Sequence, residues 1–286
     1  MTILLFGAKG QVGRALADRA DVVSLDRDEA DLRDPARCAR IIETARVDAV
    51  INAAAFSDVD GAESAEATAR LVNARAPAVM ALAAARVGIP FVHLSTAYVF
   101  SGKGRLPWRP DSTPEPVQAY GRTRLAGERG VANAGGAHAV LRSSWVHSAE
   151  GHNFVRSMIR AGGARSALAV ACDRIGSPTP AADLAHAAVT VATALRSRPE
   201  ASGVYHYAGR EAVSRADFAR AIFEAAGLDV TVTGVPTEPW HHAAEHPANA
   251  ALESGLAEEV FGLCAPDWRD GLPALVREAC AGRRAA

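Results

Sequence analysis

The sequence predicts an α/β protein: a doubly wound parallel sheet with a smaller lobe at its C-terminal end. Three observations predict it. Short β-branched runs alternate with alanine-rich helical stretches through the first half, which implies a parallel sheet with helices on both faces. Gly7, Gly10 and Gly13 recur at three-residue intervals directly after the first of these runs. Beyond residue 150 the alternation gives way to shorter, proline-broken segments.

Each element has its own signal. "TILLF" reads as a strand and "QVGRALADRA" as a helix with apolar residues at helical spacing. "DVVSLD" is a second strand, and "PARCARIIETAR" a helix with Pro35 suited to its first turn. "DAVINAAA" is a third strand, "AEATARLVNARAPAVMALAAARVG" one long helix, and "PFVHLST" a fourth strand. The polar, Gly/Pro-rich "SGKGRLPWRPDSTPEPVQ" reads as a loop; a helix begins near Gln118, and "HAVLRSSWV" is a further strand. "IGSPTP" cannot be helical, because each proline restricts the residue before it. A helix is expected from about Ala181 to Arg196, then the strand "GVYHYA" and the helix "SRADFARAIFEAAG", with Ser214 as N-cap and Gly227 as stop. "TGVPTEPW" and "PDWRDGLPALVREAC" read as a small lobe closed by a terminal helix. The expected division is residues 1–150 as a dinucleotide-binding domain and 151–286 mainly as a substrate lobe, with about 181–210 returning to the sheet. A ligand would bind in the cleft between them.

Bulk properties bound the function. The chain has 286 residues, about half of them apolar, and a formal charge of −1. That charge gives no electrostatic case for nucleic-acid binding. Cys38, Cys172, Cys264 and Cys280 show no CxxC spacing, so neither a zinc site nor a disulfide framework is indicated. "MTILLFGAKG" runs from an apolar strand straight into a glycine loop, so no signal peptide is expected. "AHAAVTVATAL" is about half the length of a membrane span. The expectation is a cytoplasmic protein with no membrane partner.

"LLFGAKGQVGRAL" places its glycines after a strand and at the opening of a helix. There the first permits a tight turn, the next lets backbone approach a pyrophosphate, and the last lets helix pack against strand. The spacing is G-x-x-G-x-x-G, slightly longer than the stricter dinucleotide fingerprint. Asp26 stands thirteen residues past Gly13, where a carboxylate suits adenosine ribose hydroxyls; Arg27 beside it suits a 2′-phosphate. NADPH and NADH therefore stay open, as does the reading of both residues as a solvated strand end. Ala53, Ala54 and Ala55 end the third strand with small side chains, as a cofactor passing overhead needs. Ser95 and Thr96 end the fourth, and Tyr120 follows twenty-four residues after Thr96. A hydroxyl at a strand end and a phenol on the next helix can hold one ketone oxygen and protonate it as hydride reaches carbon. Arg124 lies at i+4 from Tyr120, on the same helix face.

The ordered set "GAKGQVG", "INAAAFSDVDGAE", "VNARAP", "HLSTAYVF", "YGRTRLAGE", "RSSWV", "NFVRSMIR", "IGSPT" and "PDWRDGL" resembles the dTDP-4-dehydrorhamnose reductases, extended short-chain dehydrogenases, through nearly the whole chain. The resemblance implies a Rossmann domain for NADPH or NADH and reduction of the 4-keto group of a nucleotide-linked 6-deoxyhexose. It implies that Thr96 binds the substrate carbonyl, Tyr120 donates the proton, and Arg124 takes the place of the family's lysine on the nicotinamide ribose. It further implies a cofactor surface that includes Lys9, Gln11, Val12, Asp31, Leu32 and Asn73. On the substrate side it implies Ser57, Val59, Ala97, Tyr98, Trp145, Asn153 and Arg174. A homodimer is a common outcome for such folds.

Two departures stand out. The family pattern is Tyr-x-x-x-Lys, and the fourth position here is Arg124. One positive charge about 5 Å from a phenol, at an effective dielectric near 20, favours the phenolate by roughly 3 kcal/mol. Arginine supplies that charge but does not readily give up a proton. The family's "STDYVFDG" reads "STAYVFSG", so Ala97 and Ser101 replace two aspartates. Competing readings are a cofactor-binding but catalytically silent subunit, and a related sugar-nucleotide epimerase or reductase. Elsewhere, Arg142, Arg156 and Arg160 are candidates for a pyrophosphate; Arg156 and Arg160 stand i,i+4 on one helix, so a shared solvated face is the equal alternative for them. Trp240 and Trp268 are expected to pack the lobe, and His241, His242, Glu245 and His246 read as a polar loop rather than a metal site.

Overall fold

The computed structural model describes residues 1–17, 19–237 and 243–281. Its central sheet follows from the apolar runs. β1 (Ile3–Phe6) is buried along its whole length, as a strand covered on both faces must be. It leads through the glycine loop into α1 (Gln11–Ala17) and β2 (Val22–Leu25). Next come α2 (Pro35–Thr44), β3 (Ala49–Asn52), α3 (Val59–Ser64), α4 (Glu66–Arg70), α5 (Ala76–Arg86) and β4 (Phe91–Thr96). α6 (Ala119–Ala132) and β5 (His138–Ser143) close the first half. The second half runs β6 (Val146–His147), α7 (Phe154–Gly162), β7 (Ala167–Ala171), β8 (Ile175–Gly176), β9 (Thr179–Pro180) and α8 (Ala181–Ser197). It ends with β10 (Gly203–His206), β11 (Val213–Ser214), α9 (Arg215–Ala226), β12 (Thr231–Val235), β13 (Asn249–Ala250), α10 (Gly255–Phe261) and α11 (Trp268–Ala281).

The Rossmann-type sheet has six parallel strands in the order β10-β5-β4-β3-β1-β2. α1 and α8 cover one face, with Leu16, Leu184 and Val191 packed on Ile3, Ile51 and Leu141. α2 and α5 cover the other, where Ile42 and Met80 meet Leu4, Phe6 and Phe91. β10 extends the sheet through parallel pairing of Gly203 to His206 with Ala139 to Arg142. A separate core joins α7, α9 and α11 around Phe218, Ile222, Trp268 and Val276. Trp268 is 2% exposed, so it packs the lobe. No helix among the described residues is long and apolar enough to cross a membrane.

Three local features differ from the sequence reading. The long helix expected after β3 is interrupted by a π turn at Leu71–Arg75. A separate short helix, α3, precedes it, capped by Asp58 Oδ1 accepting from Gly61 N at 2.9 Å. The irregular stretch after residue 150 contains β7, which pairs in parallel with β12. His241, His242 and Trp240 lie outside the described residues.

Candidate active site

The cofactor end is set by close approach of backbone. Gly7 has φ +94°, and a Cβ built on it would stand 2.7 Å from Ala54 N. A Cβ on Gly13 would stand 2.0 Å from Gly7 O, so only glycine lets α1 start against the loop. A Cβ on Gly10 meets only Gly7 O, at 3.3 Å, and Gly10 is exposed. The loop is thus packed from behind by Gly7, Ala54 and Gly13 and open in front, over the first amides of α1, where an anion fits. Val12 and Leu32 put their side chains into the core, so only their backbone atoms can meet a ligand.

At the end of β2, Asp26 Oδ1 accepts from the amides of Asp28 at 2.8 Å and Glu29 at 3.2 Å, while Oδ2 pairs with Lys9 Nζ at 2.5 Å. The Lys9 ammonium, with those amides, holds the Asp26 carboxyl below the usual range. Arg27 is exposed, and Asp31 pairs with Arg33 at 2.6 Å.

The catalytic candidates come together where β4 ends and α6 begins. Thr96 Oγ1 accepts from Tyr98 N at 3.2 Å and caps the single 3-10 turn that follows the strand. A Cβ on Gly121 would stand 2.0 Å from Tyr98 O, so this glycine lets the first turn of α6 lie against that turn. Gln118 Oε1 caps Gly121 N at 3.1 Å, and Glu63 Oε1 accepts from Ala119 N at 2.7 Å. The rings of Tyr98 and Tyr120 meet edge to face, 6.0 Å between centroids.

α6 carries Arg124 and Glu128, one turn apart, onto the sheet, while Tyr120 in its first turn packs beside Phe56 and Tyr98. Arg124 is 3% exposed; its Nη2 donates to the Leu94 carbonyl, and its Nε and Nη1 have no partner among the described residues. A buried cation with two unmatched N–H groups needs acceptors from outside the chain, and ribose hydroxyls are such acceptors. The residues present therefore fit a nicotinamide dinucleotide at both ends. Burial, with the Arg124 charge, holds the His93 imidazole well below its ordinary value, so it stays neutral. Its Nδ1 lies 3.2 Å from Asn52 Nδ2.

Several expected ligands are structural instead. The Ser95 hydroxyl donates to Glu128 Oε1. Arg142, offered to a pyrophosphate, is 3% exposed and pairs with Glu128 through Nη2 at 2.7 Å and Nε at 3.0 Å. Asn73, fully buried at the π turn, accepts from Phe56 N at 2.8 Å and donates to Phe56 O at 3.0 Å and Thr123 Oγ1 at 3.2 Å. It braces the end of β3 against α6 and has no surface for a cofactor. Ala97 is likewise fully buried, among Val99, Phe100 and Leu125, and presents no side chain to a substrate. Asn153 is an N-cap: its Oδ1 accepts from Arg156 N at 3.1 Å, and its Nδ2 donates to Ser148 O, Glu150 O and Gln11 Oε1. Arg156 donates to Ala149 O at 3.1 Å, and Arg160 is exposed on the same helix.

On the substrate side, Ser57 is exposed and Val59 partly buried at the start of α3. Trp145 has φ +45°, rare for a bulky residue. Its ring lies on Gly176, where a Cβ would stand 2.3 Å from it. Arg215, read in the sequence only as the first residue of a helix, stacks on that ring with 3.6 Å from Cζ to the centroid. Arg174 Nε donates to Thr237 Oγ1 at 2.9 Å, and its Nη1 to the His246 carbonyl. The Tyr98 hydroxyl lies 3.3 Å from His246 Nδ1, and His246 Nε2 lies 3.5 Å from Asp60 Oδ2. Among the described residues no group of three or more metal-ligating side chains comes together. Sequence reasoning missed Glu128, Arg215 and the Asp60–His246 pair, because their roles arise from contacts 14 to 186 residues apart. For Glu128 the i+4 spacing from Arg124 was the available signal.

Gln11 joins the two ends. Its Oε1 accepts from Ser148 Oγ and Asn153 Nδ2, both at 3.0 Å, and its Nε2 donates to Val146 O at 3.4 Å.

Comparison with known proteins agrees with this geometry. The profile of the RmlD substrate binding domain matches residues 1–280. The dTDP-4-dehydrorhamnose reductase of Burkholderia thailandensis is 42% identical, over 97% of this chain and 99% of its own. That of Escherichia coli is 35% identical over 97% and 98%. The crystal structure of the Bacillus anthracis dTDP-4-dehydrorhamnose reductase in complex with NADP superposes with a TM-score of 0.89 at 30% identity, over 97% of this chain and 100% of that one. With its glycine loop, its Thr96–Tyr120–Arg124 end of β4 and α6, and full-length likeness to these relatives, the chain belongs to the RmlD family of dTDP-4-dehydrorhamnose reductases.

Proposed function

We propose that this chain reduces the 4-keto group of a nucleotide-linked 4-keto-6-deoxyhexose, carried on dTDP, with NADPH or NADH as reductant. The names of its full-length relatives support the reaction, and the NADP complex of the Bacillus anthracis relative supports the cofactor. The observation that carries the reading is the inward, buried Arg124 with two unmatched N–H groups beside the helix turn that bears Tyr120. The cofactor, when bound, supplies the hydride that reaches C4.

The chain's own residues supply the rest. The Thr96 hydroxyl holds the carbonyl oxygen, and Tyr120 gives that oxygen a proton, so a ketone becomes a secondary alcohol and the phenol a phenolate. Arg124 stabilises the phenolate electrostatically and donates to ribose hydroxyls. Because a guanidinium keeps its proton, Tyr120 is reprotonated from solvent rather than through this side chain. Residues 1–150 with 181–210 form the cofactor half, and the remainder of 151–286 forms the sugar-nucleotide half.

The experiment is direct. The purified chain is mixed with NADPH or NADH and a panel of dTDP-4-keto sugars, and absorbance of the reduced nicotinamide is followed. Oxidation matched by an equal amount of dTDP-6-deoxyhexose is expected. Cofactor binding without oxidation across the panel would overturn the proposal and favour a silent subunit.

A further inference from the structure

The cleft holds a cation that the chemistry of Thr96, Tyr120 and Arg124 does not use. Arg215 opens α9, directly after the N-cap Ser214, and its amide donates to Arg174 O at 3.0 Å. Its guanidinium lies between two aromatic faces, 3.6 Å from the Trp145 centroid and 4.5 Å from that of Phe154. Trp145 is itself held against Gly176, so the sandwich is rigid. The residue is partly exposed, and the Tyr98 hydroxyl lies beside the guanidinium.

Among the described residues no carboxylate stabilises this cation; its stabilising neighbour is the Tyr98 hydroxyl. Burial lowers its pKa to about 10, so it remains charged at neutral pH. Arg174 acts on the same Tyr98, and among the described residues it donates to neutral oxygens, of Thr237 and His246. Two positive charges thus flank one phenol at the substrate side of the cleft. A buried or stacked charge left unpaired is costly unless a ligand completes it. A planar guanidinium is suited to two oxygens of a phosphate at once.

We propose that Arg215 is the anion receptor of the cleft and binds the diphosphate of a nucleotide ligand, beside Arg174. This rests on the sugar-nucleotide reading above and deepens it: stacking on Trp145 and Phe154 fixes the guanidinium before the ligand arrives, so little side-chain freedom is lost on binding.

Calorimetry on the NADPH-loaded protein tests it, with dTDP, UDP and thymidine as probes and wild type, R215M and R215K as proteins. R215M keeps the length and apolar packing of the stem. Its dTDP affinity is expected to fall roughly ten- to hundredfold, the loss of a charge-assisted contact. R215K should recover part of that loss, while thymidine and NADPH bind all three proteins alike. Undiminished dTDP binding by R215M, or wild type binding dTDP and UDP no better than thymidine, would overturn the inference. If either variant fails to fold, a crystal structure of wild type with NADPH and dTDP decides: a phosphate on Arg215 supports the inference, and a phosphate seated elsewhere removes it. The two readings fail separately. Diphosphate binding through Arg215 with no NADPH oxidation across the keto sugars sinks the reductase alone. Turnover whose KM is unmoved in R215M sinks the anion receptor alone.

Discussion

Arg124 shows how one residue keeps one role and loses another. In the mechanism proposed above, the Arg124 guanidinium, buried against the Leu94 carbonyl, supplies the charge that stabilises the Tyr120 phenolate. Replacing it with methionine removes that charge, so kcat should fall about a hundredfold in a steady-state assay. Arg124→Lys keeps the charge and should stay within about tenfold of wild type. A methionine variant with unchanged kcat would show that the charge at this position is idle. The sequence made Arg124 visible because it sits four residues from Tyr120 on a helix, but not the orphaned Nε and Nη1, which depend on how α6 meets β4. Arg142 was misread for the complementary reason: a strand arginine looks like a ligand until its partner, Glu128, is located on the helix before it.

At the scale of elements, the local signals were sufficient where chemistry is local. The caps of α9 show this. Ser214 Oγ accepts from Asp217 N at 3.0 Å, and Gly227 takes φ +63° at the other end. Both were legible because a helix end is a matter of four consecutive residues. The π turn at Asn73 was not, since it exists to bring one amide side chain onto Phe56 and Thr123, across 17 and 50 residues. α6 is fastened to the sheet by the Glu128–Arg142 pair, both members nearly inaccessible to water. Glu128→Ala leaves the guanidinium buried without a carboxylate, which should cost about 3–5 kcal/mol, read from urea unfolding midpoints. A loss under 1 kcal/mol would mean that Arg142 finds another partner or reaches water.

For the whole molecule, acid should be the weak side. Burial lowers His147 to about 4, and burial with the Arg142 charge lowers His206 to about 3. Both are neutral in the folded chain at pH 5, whereas the unfolded chain binds protons below about 6.5. Their contribution is therefore full above pH 6.5 and is lost as pH falls towards the folded values. Between pH 7 and 5 each should cost about 2 kcal/mol, about 4 kcal/mol together. Chemical denaturation at the two pH values measures this, and a flat profile would show that water reaches these rings. The α/β architecture with its parallel sheet was legible from alternation alone, but the strand order was not, and the second core around Phe218 and Trp268 was legible only as irregular text, because its short strands and helices are ordered by one another. The brace made by Gln11 unites these two cores mechanically. Since the first residue of α1 grips Val146, Ser148 and Asn153, the helix that greets a pyrophosphate cannot tilt without dragging the strap next to Trp145. Whatever steadies the one rim also steadies the other.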